Sequence, residues 1–201
     1  MLGINTVLGP ERFFGLAAVP GQERAARAAI LQAITYGVEV GARHINVVGG
    51  LTDGGYAAEQ VFQDNLRFAA DVAAEHDLKI VIEALNPRAV PGAHLVSQNA
   101  GLATVKAVGA PNLKLMLDFF HAQIVQGDLE TLVCDNIDLI GHVQFAAIHD
   151  RGEPDEGELN YPYLFKVLED AGYQGYLGAE YHPRGETVED GLGWLDAYRR
   201  L

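Results

Sequence analysis

The chain holds a single cysteine, Cys134, among 201 residues, so no intrachain disulfide can form and the usage suits a reducing compartment. Cys134 itself is expected as a small buried apolar residue on a helix. Basic residues are scarce: 14 Lys and Arg stand against 27 Asp and Glu, for a formal net charge of -13. That balance argues against nucleic acid as a partner, because such binding needs a broad positive footprint. A small anionic molecule needs only a few placed basic groups. No stretch reaches the ~20 consecutive apolar residues of a membrane span, and no basic segment leads into an apolar one at the start. No membrane partner is therefore expected, and the expected location is the cytoplasm. No Gly-x-Gly-x-x-Gly follows the first strand and no Gly-x-x-x-x-Gly-Lys occurs, which leaves nucleotide cradles unsupported.

What is present is the composition of one globular domain, residues 1–201, with 49% hydrophobic residues, 23 Gly and 8 Pro. Short apolar runs alternate with amphipathic stretches. Strands are expected over Met1–Leu8, His44–Val48, Leu78–Leu85, Leu113–His121, Gly141–Ile148 and Tyr176–Tyr181. Between them the spacing predicts helices over Gln22–Val40, Tyr56–Glu75, Ser97–Val108, Leu129–Asn136 and Tyr161–Ala171, with a final one from Val188 to Arg200. Ser97 and Asn160 are the expected N-caps, and Gly172 the expected stop. Strand and helix in strict alternation imply right-handed βαβ units and a parallel sheet. Six units make either an open doubly wound sheet or three quarters of an eight-stranded barrel.

In such folds chemistry gathers at the carboxyl ends of strands. Four consecutive strands each bring one oxygen ligand there, about one βα unit apart: Glu83, Asp118, Gln144 and Glu180. Taken singly, each could be an ion-paired rim residue; a carboxylate inside an apolar strand is costly unless it is paired or metal-bound. Three carboxylates and an amide oxygen form a hard, negative set suited to Mg²⁺ or Mn²⁺. Such a cation can chelate neighbouring oxygens of a hydroxy-carbonyl substrate and stabilise an enediolate. Glu83 and Glu180, on non-adjacent strands, are the candidate acid/base pair. His121, three residues after Asp118, could bond a substrate oxygen or be a surface histidine. Arg151 is the best candidate to hold a substrate carboxylate or hydroxyl, since its planar fork matches carboxylate geometry. The acid-rich loop after His149 is expected to be solvated except at Glu153 and Glu158. His142 reads as a core histidine, and His149, His182 and Arg184 as rim groups. His44, His76 and His94 carry no comparable context.

The runs Leu117-Asp118-Phe119-Phe120-His121-Ala122-Gln123, Gly141-His142-Val143-Gln144, Arg151-Gly152-Glu153-Pro154, Gly157-Glu158-Leu159-Asn160-Tyr161 and Gly178-Ala179-Glu180-Tyr181 resemble hydroxypyruvate isomerases. These belong to the xylose-isomerase-like TIM-barrel superfamily of sugar isomerases and epimerases. The resemblance implies a (β/α) barrel-type parallel sheet and a divalent metal held at Glu83, Asp118, Gln144 and Glu180. It also implies Glu83 and Glu180 as the acid/base pair, and substrate contacts from His121 and Arg151. The implied reaction interconverts hydroxypyruvate and tartronate semialdehyde, with 2-oxo-tetronates as related substrates. Family members have two βα units before the strand that Met1–Leu8 matches, so a fragment, a misplaced start, a flattened architecture or a partner chain completing the wall is expected; a second copy of the chain is one candidate. Two other functions follow from that departure and from the superfamily: a non-catalytic metal or sugar-acid binding protein, or a keto-sugar 3-epimerase.

Overall fold

Branched aliphatic residues set the first strands and Ala-rich stripes set the helices that cover them. The computed structural model describes residues 1–9, 13–187 and 189–198, in two units, Met1–Met116 and Leu117–Leu201. The first unit runs β1 (Gly3–Asn5), α1 (Glu23–Glu39), β2 (His44–Asn46), α2 (Gly55–Ala74), β3 (Lys79–Glu83) and α3 (Gln98–Val108) and enters β4 (Leu113–Asp118), whose last residues, Leu117 and Asp118, belong to the second. Each strand pairs in parallel with the next. Asn5 stands opposite Asn46, Asn46 opposite Val81, and Glu83 opposite Met116. In β3 the three consecutive residues Ile80, Val81 and Ile82 are wholly buried, as expected of a strand covered on both faces. Helix α1 buries Ala26, Ala29, Ile30, Ala33 and Ile34, and α2 buries Ala58, Phe62, Leu66, Ala69 and Ala73. Both sets follow the three- and four-residue steps of one helical stripe. Helix α3 starts where expected, with Ser97 Oγ accepting the Ala100 N–H at 3.2 Å, and ends at Gly109, whose φ of 71° is the left-handed C-cap conformation.

The strand expected over Leu113–His121 ends earlier. Asp118 closes β4, and Phe119, Phe120 and His121 form the first turn of α4 (Phe119–Val125), with Asp118 as its N-cap. A carboxylate that accepts the Phe120 N–H at 2.8 Å turns the chain from strand to helix with no loop between. The second unit continues with α5 (Leu129–Asn136), β5 (Ile140–Phe145), α6 (Tyr161–Asp170), β6 (Leu177–Ala179) and α7 (Leu195–Tyr198). Two helices therefore stand between β4 and β5, where strict alternation predicts one. Strand β5 pairs in parallel with β6, Gln144 opposite Gly178. Helix α6 is capped by Asn160, whose Oδ1 accepts the Tyr163 N–H at 3.3 Å. Tyr161 is wholly buried and its hydroxyl donates to the Ala146 carbonyl at 2.6 Å.

Cys134 is exposed, not buried. Helix α5 turns Leu129, Leu132 and Val133 inward, and the next residue falls off that stripe. The final helix expected over Val188–Arg200 is instead a 3₁₀ turn, Glu189–Leu192, followed by α7; Val188, Arg199 and Arg200 lie outside the described residues. Among the described residues no helix is long and apolar enough to cross a membrane.

In each unit one strand carries a glycine that makes room for a histidine on its neighbour. A Cβ on Gly3 would lie 2.1 Å from His44 Nε2, and a Cβ on Gly178 would lie 3.0 Å from His142 Nε2. Both histidines are buried, so His142 is the core residue its sequence context suggests.

Candidate active site

In the first unit Glu83 closes β3 half-buried. Asn46, at the end of β2, donates from Nδ2 to Glu83 Oε2 at 3.4 Å. The other amide atom, Asn46 Oδ1, is buried without a hydrogen bond among the described residues. Both side chains line a small cavity with Gly49, Gly50 and His94. His94 is held at both ring nitrogens: Nδ1 lies 2.9 Å from Thr52 Oγ1 and Nε2 3.1 Å from Glu59 Oε2. Glu59 also accepts from Thr104 and Gln63, both at 2.8 Å. This network is absent from the sequence reading, which gave His94 no context. Its members come from α2, α3 and two loops, and no local spacing signals a contact over such separations.

In the second unit Arg151 is the hub. Its Nη2 donates to Asp118 Oδ2 at 3.0 Å and to Glu180 Oε2 at 2.5 Å, its Nη1 donates to His121 Nε2 at 3.2 Å, and its Nε donates to the Glu180 carbonyl at 3.3 Å. The guanidinium also stacks over the Phe120 ring, 4.9 Å from the centroid. Four of the residues singled out by sequence, Asp118, His121, Arg151 and Glu180, are thus in one hydrogen-bonded group. In this structure the Arg151 donors are turned to groups of the chain itself. Glu180 lies outside the strand in which it was expected. It sits one residue beyond β6 and its side chain is 54% exposed, so the cost of burial does not apply to it, although its ion pair does.

Asp118 is almost wholly buried, and burial lifts its carboxyl pKa to about 6, against the opposing pull of Arg151 and of the Phe120 N–H. His121 is equally buried, and desolvation, reinforced by the positive charge of Arg151, lowers its pKa to about 3. A neutral ring that accepts at Nε2 carries its proton on Nδ1. Its 3.6 Å approach to Asp118 Oδ2 is therefore not an ion pair, and the surface-histidine alternative does not hold. Gln144 lies on β5 with its Oε1 buried and without a hydrogen bond among the described residues. An orphaned buried acceptor is unfavourable unless something occupies it.

The loop after Ile148 is held, not loose. Glu153 is 4% exposed and accepts the Arg184 N–H at 2.8 Å and Nε at 2.6 Å. The Arg184 backbone donor keeps the Glu153 carboxyl below its usual range. Asp155 and Glu156 bind the other two guanidinium nitrogens. Glu158 accepts from Gln123 at 3.2 Å. Gly157 passes so close to Ile148 that a Cβ would lie 2.6 Å from its carbonyl oxygen. The two acids that the sequence set apart in this loop are both engaged. His149 and Glu158 meet only at 4.0 Å on the exposed side.

The sequence pattern of the family described as Xylose isomerase-like TIM barrel matches residues 2–198. A 2-oxo-tetronate isomerase of Cupriavidus necator is 45% identical over 187 residues, 92% of this chain and 72% of that protein. The hydroxypyruvate isomerase of Escherichia coli is 40% identical over 188 residues, again 92% of this chain and 72% of that protein. A crystal structure from Brucella melitensis, described as an AP endonuclease of family 2, superposes with a TM-score of 0.94 at 41% identity, covering 98% of this chain and 78% of the other. With the α/β architecture and parallel strands already described, these matches place the chain in the hydroxypyruvate isomerase and 2-oxo-tetronate isomerase family of xylose isomerase-like TIM barrels.

Proposed function

We propose that the chain is a metal-dependent isomerase of small 2-oxo hydroxy acids, interconverting hydroxypyruvate and tartronate semialdehyde or a close analogue. The observation that carries this reading is the convergence of Asp118, Glu180 and His121 on Arg151, in a chain 40% and 45% identical to isomerases of these acids. The match over residues 2–198 supports both units working as one domain.

The donor set suits a hard divalent cation. Glu83, Asp118, Gln144 and Glu180 would hold Mg²⁺ or Mn²⁺ through oxygen alone. Gln144 Oε1 is a buried acceptor without a partner, and burial of Asp118 disfavours its charge; both features are what a bound cation relieves. When bound, the cation supplies positive charge next to the oxygens on which negative charge develops.

The chain's own residues do the rest. One of Glu83 and Glu180 takes a proton from C3 of hydroxypyruvate and the other delivers one to C2, while the hydroxyl proton passes from O3 to O2. Glu180, half-exposed and one residue beyond the last strand, can exchange protons with solvent; Asn46 orients Glu83 from the side. His121, neutral with Nε2 as its acceptor, bonds a substrate hydroxyl, and Arg151 takes the carboxylate. The test is direct. Glu83→Gln and Glu180→Gln each abolish the interconversion of hydroxypyruvate and tartronate semialdehyde in the presence of Mg²⁺, measured by NMR as the loss of one acid and the appearance of the other. Full activity in either variant overturns the assignment.

A further inference from the structure

Arg151, assigned above to the substrate carboxylate, lies in this structure against acids of its own chain, and that placement carries information. Its fork is fully committed to groups of the chain: two carboxylates, one imidazole and one carbonyl. Two of those groups, Asp118 and Glu180, belong to the oxygen set assigned to a divalent cation. A guanidinium and a divalent cation drawn to the same two carboxylates repel each other, so each weakens the other's hold on them.

We infer that Arg151 is a built-in counter-ion that competes with the divalent cation for Asp118 and Glu180, so that metal binding releases its guanidinium to the carboxylate of the acid substrate. This rests on the reading above that a cation occupies these carboxylates. It assigns an order, metal first and acid second, and explains why an arginine needed by the substrate is found tied to acids of its own chain.

The backbone is built to let only the side chain move. The Arg151 N–H donates to the Ala147 carbonyl at 3.1 Å, and the Arg151 carbonyl accepts from the His182 N–H at 2.7 Å. Arg151 has a φ of 58°, a left-handed conformation that a non-glycine residue holds only when its surroundings impose it. Its side chain is 20% exposed, on an open side, and the Phe120 ring beneath it offers a flat surface over which a guanidinium can slide without losing its stacking partner. Without a metal ion the arginine is a counter-charge to the buried acid Asp118. With metal bound, that duty passes to the ion.

Isothermal titration of Mn²⁺ into wild type and Arg151→Ala at one pH tests this. The variant is expected to bind Mn²⁺ on the order of tenfold tighter or more, the factor carried by one charge-assisted hydrogen bond that no longer has to be broken. Its metal-free melting temperature is expected to fall below that of wild type, and saturating Mn²⁺ is expected to close the gap. If wild type binds Mn²⁺ and the variant binds it equally or more weakly, the competition is refuted while the metal reading stands. If neither binds Mn²⁺, both are refuted. A measurement on wild type covers the case in which the variant does not fold. Modification of Arg151 by phenylglyoxal, followed by peptide mass spectrometry, is expected to speed up several-fold on addition of Mn²⁺. A rate that is unchanged or slowed overturns the inference.

Discussion

Burial acts on two titratable groups of the second unit with opposite signs. Desolvation lowers the His142 pKa from 6.5 and raises that of Asp118 to about 6. For His142 the unfolded chain takes up a proton near pH 6.5 that the folded chain refuses. The stability it contributes is therefore present above pH 6.5 and is lost as pH falls. For Asp118 the folded chain takes up its proton first, so acidification from pH 6 towards 4 adds stability in the absence of metal. The two contributions overlap, and only a difference between variants separates them. A His142→Asn variant is expected to lose less stability than wild type between pH 7 and pH 5, by up to about 1.4 kcal/mol per pH unit. Urea denaturation at both pH values measures this, and parallel slopes would contradict it. His142 was readable as a core group because it precedes Gln144 by two residues on an apolar strand. The partners of His94 were not readable, since Glu59, Thr52 and Thr104 reach it only through the tertiary fold. For the same reason the sequence could nominate Arg151 as a binding residue without revealing which acids it grips.

Elements whose ends are marked by local chemistry emerge where the sequence puts them. Ser97 and Asn160 each accept an N–H in the first turn of the helix they precede, and α5 spans Leu129–Asn136 as spacing predicts. Phe119-Phe120-His121 misleads because an aromatic run after an apolar strand fits a continued strand as well as a first helical turn; the deciding contact is the Asp118 carboxylate on the Phe120 N–H. That single residue both ends β4 and starts α4, which fixes where His121 sits. The glycine–histidine pairs are also tertiary. Gly178 faces Gln144 in register and leaves room for His142, so a branched side chain there must displace a buried ring. Gly178→Val is expected to destabilise the chain by about 1–3 kcal/mol, the usual range for overpacking. Asn160→Ala, which removes only a cap, should cost about 1 kcal/mol. Thermal melts of the two variants should rank in that order. The reverse ranking would mean that β6 yields easily to accommodate the side chain.

At the scale of the whole molecule the chain carries a formal net charge of -13, and the proposal above assigns three of its carboxylates to one cation. Gathering like charges is unfavourable until a cation is bound. A ligand that binds only the folded state stabilises it by RT ln(1 + [L]/Kd), about 2.7 kcal/mol at a hundredfold excess over Kd. For a chain of 201 residues that corresponds to a rise in melting temperature of roughly 5–10 °C. Mn²⁺ is therefore expected to raise the melting temperature by this amount and excess EDTA to reverse it, followed by circular dichroism. The ligand set can be tested one residue at a time. Loss of any one of Glu83, Asp118, Gln144 or Glu180 should remove most of the gain. Glu83→Gln and Gln144→Leu are the informative pair, since neither residue touches Arg151 among the contacts described. If Glu83→Gln keeps the full Mn²⁺-induced rise while Gln144→Leu loses it, Glu83 is no ligand, and the acid/base role assigned to it has to be argued without the metal beside it.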